Sequence, residues 1–218
     1  MNDIAMLEDA LRAHLNRRCR RAYAHELRNG MQGIFGGVDA LTRAARATKP
    51  LTVPLDQLTQ FVQQAIANHE RGLERVLESM APENHAPALV SLREMLMEQV
   101  RFMTNDTARH SVRIRQDFGD DMKVHAAPAR LRLITLGLLT ESIDAMPNGG
   151  EIRIGGRTHG DRVQFEVADE RTQPRPASFV HEAIERLVVE LSGEVEYEKD
   201  ASCGYAVRVA LPAADRSS

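Results

Sequence analysis

His25 opens the run His25-Glu26-Leu27-Arg28-Asn29, a group of side chains able to support nucleophilic or proton-transfer chemistry. An imidazole is mostly neutral near pH 7, so one ring nitrogen has a lone pair to attack an electrophile or carry a proton. Where the helix presents that ring decides its use. The apolar positions Ala24, Leu27, Met31, Ile34, Val38, Leu41 and Ala45 are spaced three and four apart, the heptad pattern of helices packing side by side. With Ala24 and Leu27 in that seam, His25 and Gln32 fall on its solvent-side flank, and Arg28 and Asn29 lie one turn from His25. The expectation is a histidine presented to a partner. Gly30, Gly33, Gly36 and Gly37 follow on the same helix, each costing about 1 kcal/mol relative to alanine. Two readings offset that cost. Gly30 and Gly37, seven apart, let a partner come close beside His25, with Gln32 and Gly33 on the same docking surface; or bundle packing simply tolerates the glycines.

Two helices must hold that ring in place. Leu7 to about Ala47 reads as one long helix, which Lys49-Pro50-Leu51-Thr52-Val53-Pro54 breaks twice with proline. A second helix follows, its apolar positions Leu55, Leu58, Val62, Ile66, Leu73, Val76 and Met80 close to the same spacing. Two long helices joined by a short turn form an antiparallel hairpin and leave one apolar stripe uncovered. A second copy would cover it, so residues 1–81 are expected to form a dimeric four-helix bundle. His69, on or near the second seam, is expected to be a core histidine satisfied by a hydrogen bond.

Residues 81–87, with Pro82 and Pro87, read as a hinge, and the periodicity then changes. A helix carrying Leu89, Leu92, Leu96, Val100 and Met103 leads into alternating segments at Val112 to Phe118, Ile152 and Ile154, Val163 to Val167, Val195 and Tyr197, and Tyr205 to Val209. Apolar helices around Leu131 to Met146 and Ser178 to Leu191 lie between them. Residues 88–218 therefore read as one sheet covered on one face by helices, an α/β sandwich.

Composition narrows the function. The 218 residues are 43% hydrophobic, ample for packed cores, and 28 basic residues against 31 acidic ones give a net charge of -3. No global charge draws the chain to nucleic acid or an anionic membrane, and 4% aromatics with no tryptophan leave little for base stacking. The basic cluster Arg17, Arg18, Arg20 and Arg21 reads as a solvated helix face. Cys19 and Cys203 match no metal spacing, and no signal or membrane-spanning run is seen, so a cytoplasmic protein is expected.

Over nearly its whole length the chain resembles the transmitter core of bacterial sensor histidine kinases. His25-Glu26-Leu27-Arg28-Asn29 is similar to the family's phosphoacceptor box, with Gly30 where proline is usual. Leu138-Leu139-Thr140-Glu141-Ser142-Ile143-Asp144-Ala145-Met146-Pro147, with Gly149-Gly150 and a strand after it, is similar to the frame of its asparagine box. The resemblance implies an α + α/β fold: the dimeric hairpin, then a sandwich like the family's ATP-binding domain. It also implies where ATP chemistry is lost. Gly137 and Glu141 stand where the family has its two asparagines, the second of which holds magnesium. Asp169-Glu170-Arg171-Thr172-Gln173 stands for the family's Asp, any, Gly, any, Gly. Asp169 matches the acid that reads adenine, but Arg171 and Gln173 replace both glycines and remove the room they give beside the base. Only Glu170 to Ala177 lie where the family has a long lid. An acid after a strand is ordinarily a turn or cap residue, and that reading is preferred for Asp169.

A usable histidine without an ATP site resembles the histidine phosphotransferases of phosphorelays. The resemblance implies His25 as phosphoacceptor, Glu26 holding its tautomer or charge, Arg28 steadying phosphoryl oxygens, and Asn29 at a position associated with phosphatase activity. Its partners would be response-regulator receivers, which bring their own magnesium, so no cofactor or metal is expected on this chain, and no nucleic-acid or membrane partner. A divergent active kinase and a silent pseudokinase scaffold are the alternatives.

Overall fold

In the computed structural model, residues 2–47, 53–80, 86–120, 122–171, 178–200 and 204–214 are described. Contacts divide the chain into two compact units, Cys19–Pro82 and the combination of Met1–Arg18 with Glu83–Ser218. One boundary, Pro82/Glu83, falls within the expected hinge at 81–87; the other falls within the long helix, whose first residues group with the sandwich.

The first helix, α1, spans Asn2–Arg46, and the second, α2, spans Leu55–Met80. Within Cys19–Pro82 they run antiparallel, with Glu26 beside Gly72, Gly30 beside His69, Gly33 beside Ala65 and Gly37 beside Val62 and Phe61. Most of the proline turn and of the hinge lies outside the described residues.

Contact across the hairpin thus includes a row outside the apolar seam. The row that meets α2 is Glu26, Gly30, Gly33 and Gly37, one stripe of a 3.6-residue period. The seam of Leu27, Met31, Ile34 and Val38 lies on a neighbouring face, with Met31 38% and Val38 47% exposed. Small residues bring the two backbones close, and Met31 and Val38 of the seam stay exposed.

In the other unit, β1 (Ala88–Ser91) and β3 (Lys123–Ala126) form a two-stranded antiparallel sheet. Leu89, expected on a helix, sits in β1 and is exposed, because Ser91 caps the next helix by accepting from the Glu94 N–H at 3.3 Å. That helix, α3, is Leu92–Arg109. The main sheet takes β2 (Val112–Phe118), β4 (Gly150–His159), β5 (Arg162–Asp169), β6 (Glu194–Asp200) and β7 (Gly204–Pro212) in the order β2-β4-β5-β7-β6. Only β2 and β4 pair in parallel. Alternation along β5 buries Val163, Phe165 and Val167, beneath α3, α4 (Pro128–Asp144) and α5 (Phe179–Glu190). Gly149, at φ +90°, sits where a Cβ would stand 2.8 Å from the Ser111 carbonyl, so glycine makes the turn from α4 into β4.

The start of α1 completes this unit. Leu11 and Leu15 are buried, and buried Glu8 accepts from Arg130 Nε and Arg12 Nη2, each at 3.2 Å. Arg18 donates from Nε to both carboxylate oxygens of Asp144 at 2.9 Å and from Nη2 to Asp106 at 2.6 Å. Those bonds, that to Asp144 foremost, raise the Arg18 pKa above its usual value despite partial desolvation. Arg18 is thus no member of a solvated basic face. Among the described residues no helix is long and apolar enough to cross a membrane.

Candidate functional site

His25 lies on α1 within the hairpin, partly exposed, and its Nε2 is 2.8 Å from the side-chain nitrogen of Asn29 one turn on. With that amide donating, the ring proton sits on Nδ1 and the lone pair on Nε2. The spacing of four residues sets this contact, because such neighbours stack on one helix face. Glu26, expected to hold the ring, has its Cγ 3.3 Å from where a Cβ on Gly72 would stand, and its Oε2 is buried. Asn29 is thus within hydrogen-bond distance of the His25 ring, and Glu26 lies against α2.

Arg28, Asn29, Gln32 and Gly36 are exposed, and a Cβ on Gly36 would meet nothing within 4 Å. With His25 they make one open stripe at helical spacing. The docking role expected of Gly30, Gly33 and Gly37 is corrected. A Cβ on Gly30 would stand 2.6 Å from His69 Nδ1, one on Gly33 3.3 Å from Ala65, and one on Gly37 2.5 Å from Val62. These three glycines serve the hairpin's own closure, and Gly36 and Gln32 are the ones left facing outward. His69 is held by packing on Gly30: its Nδ1 is buried without a hydrogen-bond partner among the described residues, contrary to expectation.

The described degenerate positions of the sandwich are engaged from within the chain. Asp169 ends β5 at 1% exposure, and Arg171, at 9%, grips it with a two-pronged guanidinium: Nε donates to Oδ1 at 2.5 Å and Nη2 to Oδ2. Asp169 also accepts from the backbone N–H of Arg171 at 3.3 Å, the side-chain bond of an Asx turn, as the turn reading expected; the cap of α5 is Ser178. Sequence reasoning noted Arg171 only as a missing glycine. Its position two residues after Asp169 was the available signal, since alternate residues of extended chain share a face. Gly204, at φ +89°, lets β7 start against these backbones, where a Cβ would meet the Asp169 carbonyl at 2.5 Å.

Glu141 is equally engaged. Its Oε1 accepts from the Ser178 hydroxyl at 2.8 Å, and its Oε2 lies 2.9 Å from His181 Nε2. The carboxylate thus sits at the N-terminus of α5, where helix dipole and cap both favour it. Gly137 is buried in α4 beneath α5, its missing Cβ 3.1 Å from Ile184. Gln173 lies outside the described residues.

No protein-family model matches the chain. It is similar to the sensor histidine kinase ZraS of Escherichia coli (strain K12), 24% identical over 147 residues that cover 67% of this chain and 31% of that kinase. ZraS of Klebsiella oxytoca is 25% identical over 148 residues, covering 67% and 31%. The aligned part thus spans about a third of the length of these curated relatives. Among solved structures, the cytoplasmic segment of histidine kinase QseC is similar at TM-score 0.51 and 18% identity, covering 77% of this chain and 100% of that one. Histidine kinase AdeS of Acinetobacter baumannii gives 0.53 and 14%, covering 88% and 98%. Full-length ShkA in complex with AMPPNP gives 0.55 and 17%, covering 100% and 47%. The architecture is a helical hairpin followed by an α/β sandwich like a histidine kinase ATP-binding domain.

Proposed function

We propose that this relative of the sensor histidine kinases, which has the fold of their transmitter core, is a histidine phosphotransferase that carries a phosphoryl group on His25 and takes none from ATP. The observation that carries the reading is the buried Asp169–Arg171 pair. An adenine amino group would need the carboxylate that Arg171 holds with both prongs. Displacing a buried partner leaves an uncompensated charge, a cost of about 3–5 kcal/mol before any ligand contact is made. Glu141 has both oxygens engaged by Ser178 and His181, contacts that a magnesium triphosphate would have to compete with.

At the hairpin the chemistry needs little. The phosphoryl source is the acyl phosphate of a response-regulator receiver. Nε2 attacks phosphorus, an N–P bond forms as the P–O bond breaks, and the aspartate leaves as carboxylate. Transfer to a second receiver is the same step reversed. Asn29 fixes the tautomer in which Nε2 is the nucleophile and swings aside as the phosphorus approaches. Arg28 steadies the phosphoryl oxygens, and the magnesium of such transfers is expected on the receiver. The receiver docks along Arg28, Asn29, Gln32 and Gly36. The uncovered apolar face, including Met31, Val38 and, at 40% exposure, Ile66, is expected to close against a second copy as a homodimer.

Incubating the chain with receivers phosphorylated by acetyl phosphate, alongside a titration with magnesium ATP, tests this. Label should reach wild-type protein, fall to background in His25→Gln, and ATP should give no binding signal. Labelling of His25 by ATP would establish a divergent kinase instead. Absence of transfer with intact signalling in His25→Ala would establish a scaffold.

A further inference from the structure

We propose that Arg21 is a second phosphoryl-binding residue, forming with Arg28 a pair of guanidinium groups that bracket phosphorylated His25. The inference rests on His25 as the phosphoacceptor. Arg21 lies four residues before His25 and Arg28 three after, so both fall on its helix face, with Cβ separations of about 5–6 Å. Either guanidinium can reach the space above the ring.

The charge around His25 is left uncompensated. Elsewhere on α1, Arg12 pairs with Glu8 and Asp9, Arg18 with Asp106 and Asp144, and Arg43 with Asp39. Arg21 and Arg28 are exposed and have no partner among the described residues. Between Asp9 and Asp39 the only acid is Glu26, against six arginines, and Glu26 lies over Gly72 on the side facing α2. Like charges on one helix face repel, and an anion between them relieves the repulsion. A phosphoryl group on Nε2 supplies it. In the step itself, the phosphoryl moves with its three oxygens, the N–P bond replaces the P–O bond, Nδ1 keeps its proton and the receiver's aspartate departs with the electron pair. No further reactant is needed. The group then carries its negative charge between two planar donors suited to phosphate oxygens.

The test follows transfer in both directions, between a phosphorylated receiver and the full chain and back again, in wild type, Arg21→Ala, Arg21→Lys and Arg20→Ala. Arg20 is also exposed but lies five residues before His25, on another flank, so its loss controls for net charge. A residue that only helped the receiver dock would slow both directions alike and leave their ratio unchanged. Arg21→Ala should lower the forward-to-reverse ratio about tenfold, the size expected for one charge-assisted contact. Arg21→Lys should recover part of it, and Arg20→Ala should match wild type. An unchanged ratio in Arg21→Ala, or an equal fall in Arg20→Ala, overturns the role of Arg21 while leaving His25 in place. Failure of wild type to take label on His25 overturns both.

Discussion

The hairpin around His25 and the sandwich around Asp169 each carry arginine and carboxylate groups, and they dispose of them in opposite ways. Asp169 and Arg171 are buried and bonded to each other by two side-chain hydrogen bonds. Arg21 and Arg28 are exposed, with no acidic partner among the described residues. A charged residue at a family position is therefore a poor guide to binding unless its partners are known. A group satisfied from within has nothing to offer a ligand and resists being pulled away, whereas an exposed group that repels its neighbours is ready for an anion.

The largest effect expected from breaking this contrast is at Arg171. Arg171→Ala strands the Asp169 carboxylate beneath α4 and β7 and should lower stability by about 3–5 kcal/mol, read as a shifted urea midpoint with little change in slope. Replacing both partners by apolar residues, Asp169→Leu with Arg171→Met, should cost far less, because no lone charge remains. In each variant that stays folded, phosphoryl transfer through His25 should persist. A variant that gained tight ATP binding by losing Arg171 alone would show that the guanidinium was a plug over an otherwise intact pocket.

Next in size is Gly30→Ala. The new methyl would stand 2.6 Å from His69 Nδ1 and 2.9 Å from its Cβ, and a contact at a Cβ is not relieved by a side-chain rotation. Overpacking costs about 1–3 kcal/mol, which outweighs the roughly 1 kcal/mol that alanine returns to a helix interior, so the melting temperature should fall. His69→Ala in the same chain should restore part of the loss, since the contacts with the ring go while that with the Cβ stays.

These glycines also show how far the sequence can be read. Periodicity located both long helices, the five strands of the main sheet and the face of His25, because each is written in apolar spacing over many residues. The two short strands β1 and β3 were missed, being four residues each with too few side chains to show alternation. The seam of α1 carries two overlapping three-and-four patterns, apolar at Leu27, Met31, Ile34 and Val38 and small at Gly30, Gly33 and Gly37. Hydrophobicity singles out the first, although close backbone approach selects the second for contact with α2. The departure of the sandwich from the family's pattern is legible as missing asparagines and glycines. What those positions do instead, Arg171 on Asp169 and α5 against Glu141, depends on partners dozens of residues apart for Glu141, which no local pattern encodes.

The smallest expected effect is also the most discriminating. Gly36 alone among the four glycines after His25 has open space where a side chain would be, so Gly36→Ala should raise stability by about 1 kcal/mol through helix propensity. Yet Gly36 sits on the same stripe as His25, Asn29 and Gln32, three turns along from the ring. If a receiver lies along that stripe, an added methyl keeps its backbone from approaching closely, and transfer should slow several-fold even as the protein becomes harder to melt. A gain in stability with full transfer would confine docking to the turns nearest His25. A loss of stability would mean that the open side of the hairpin is covered in solution by a second copy.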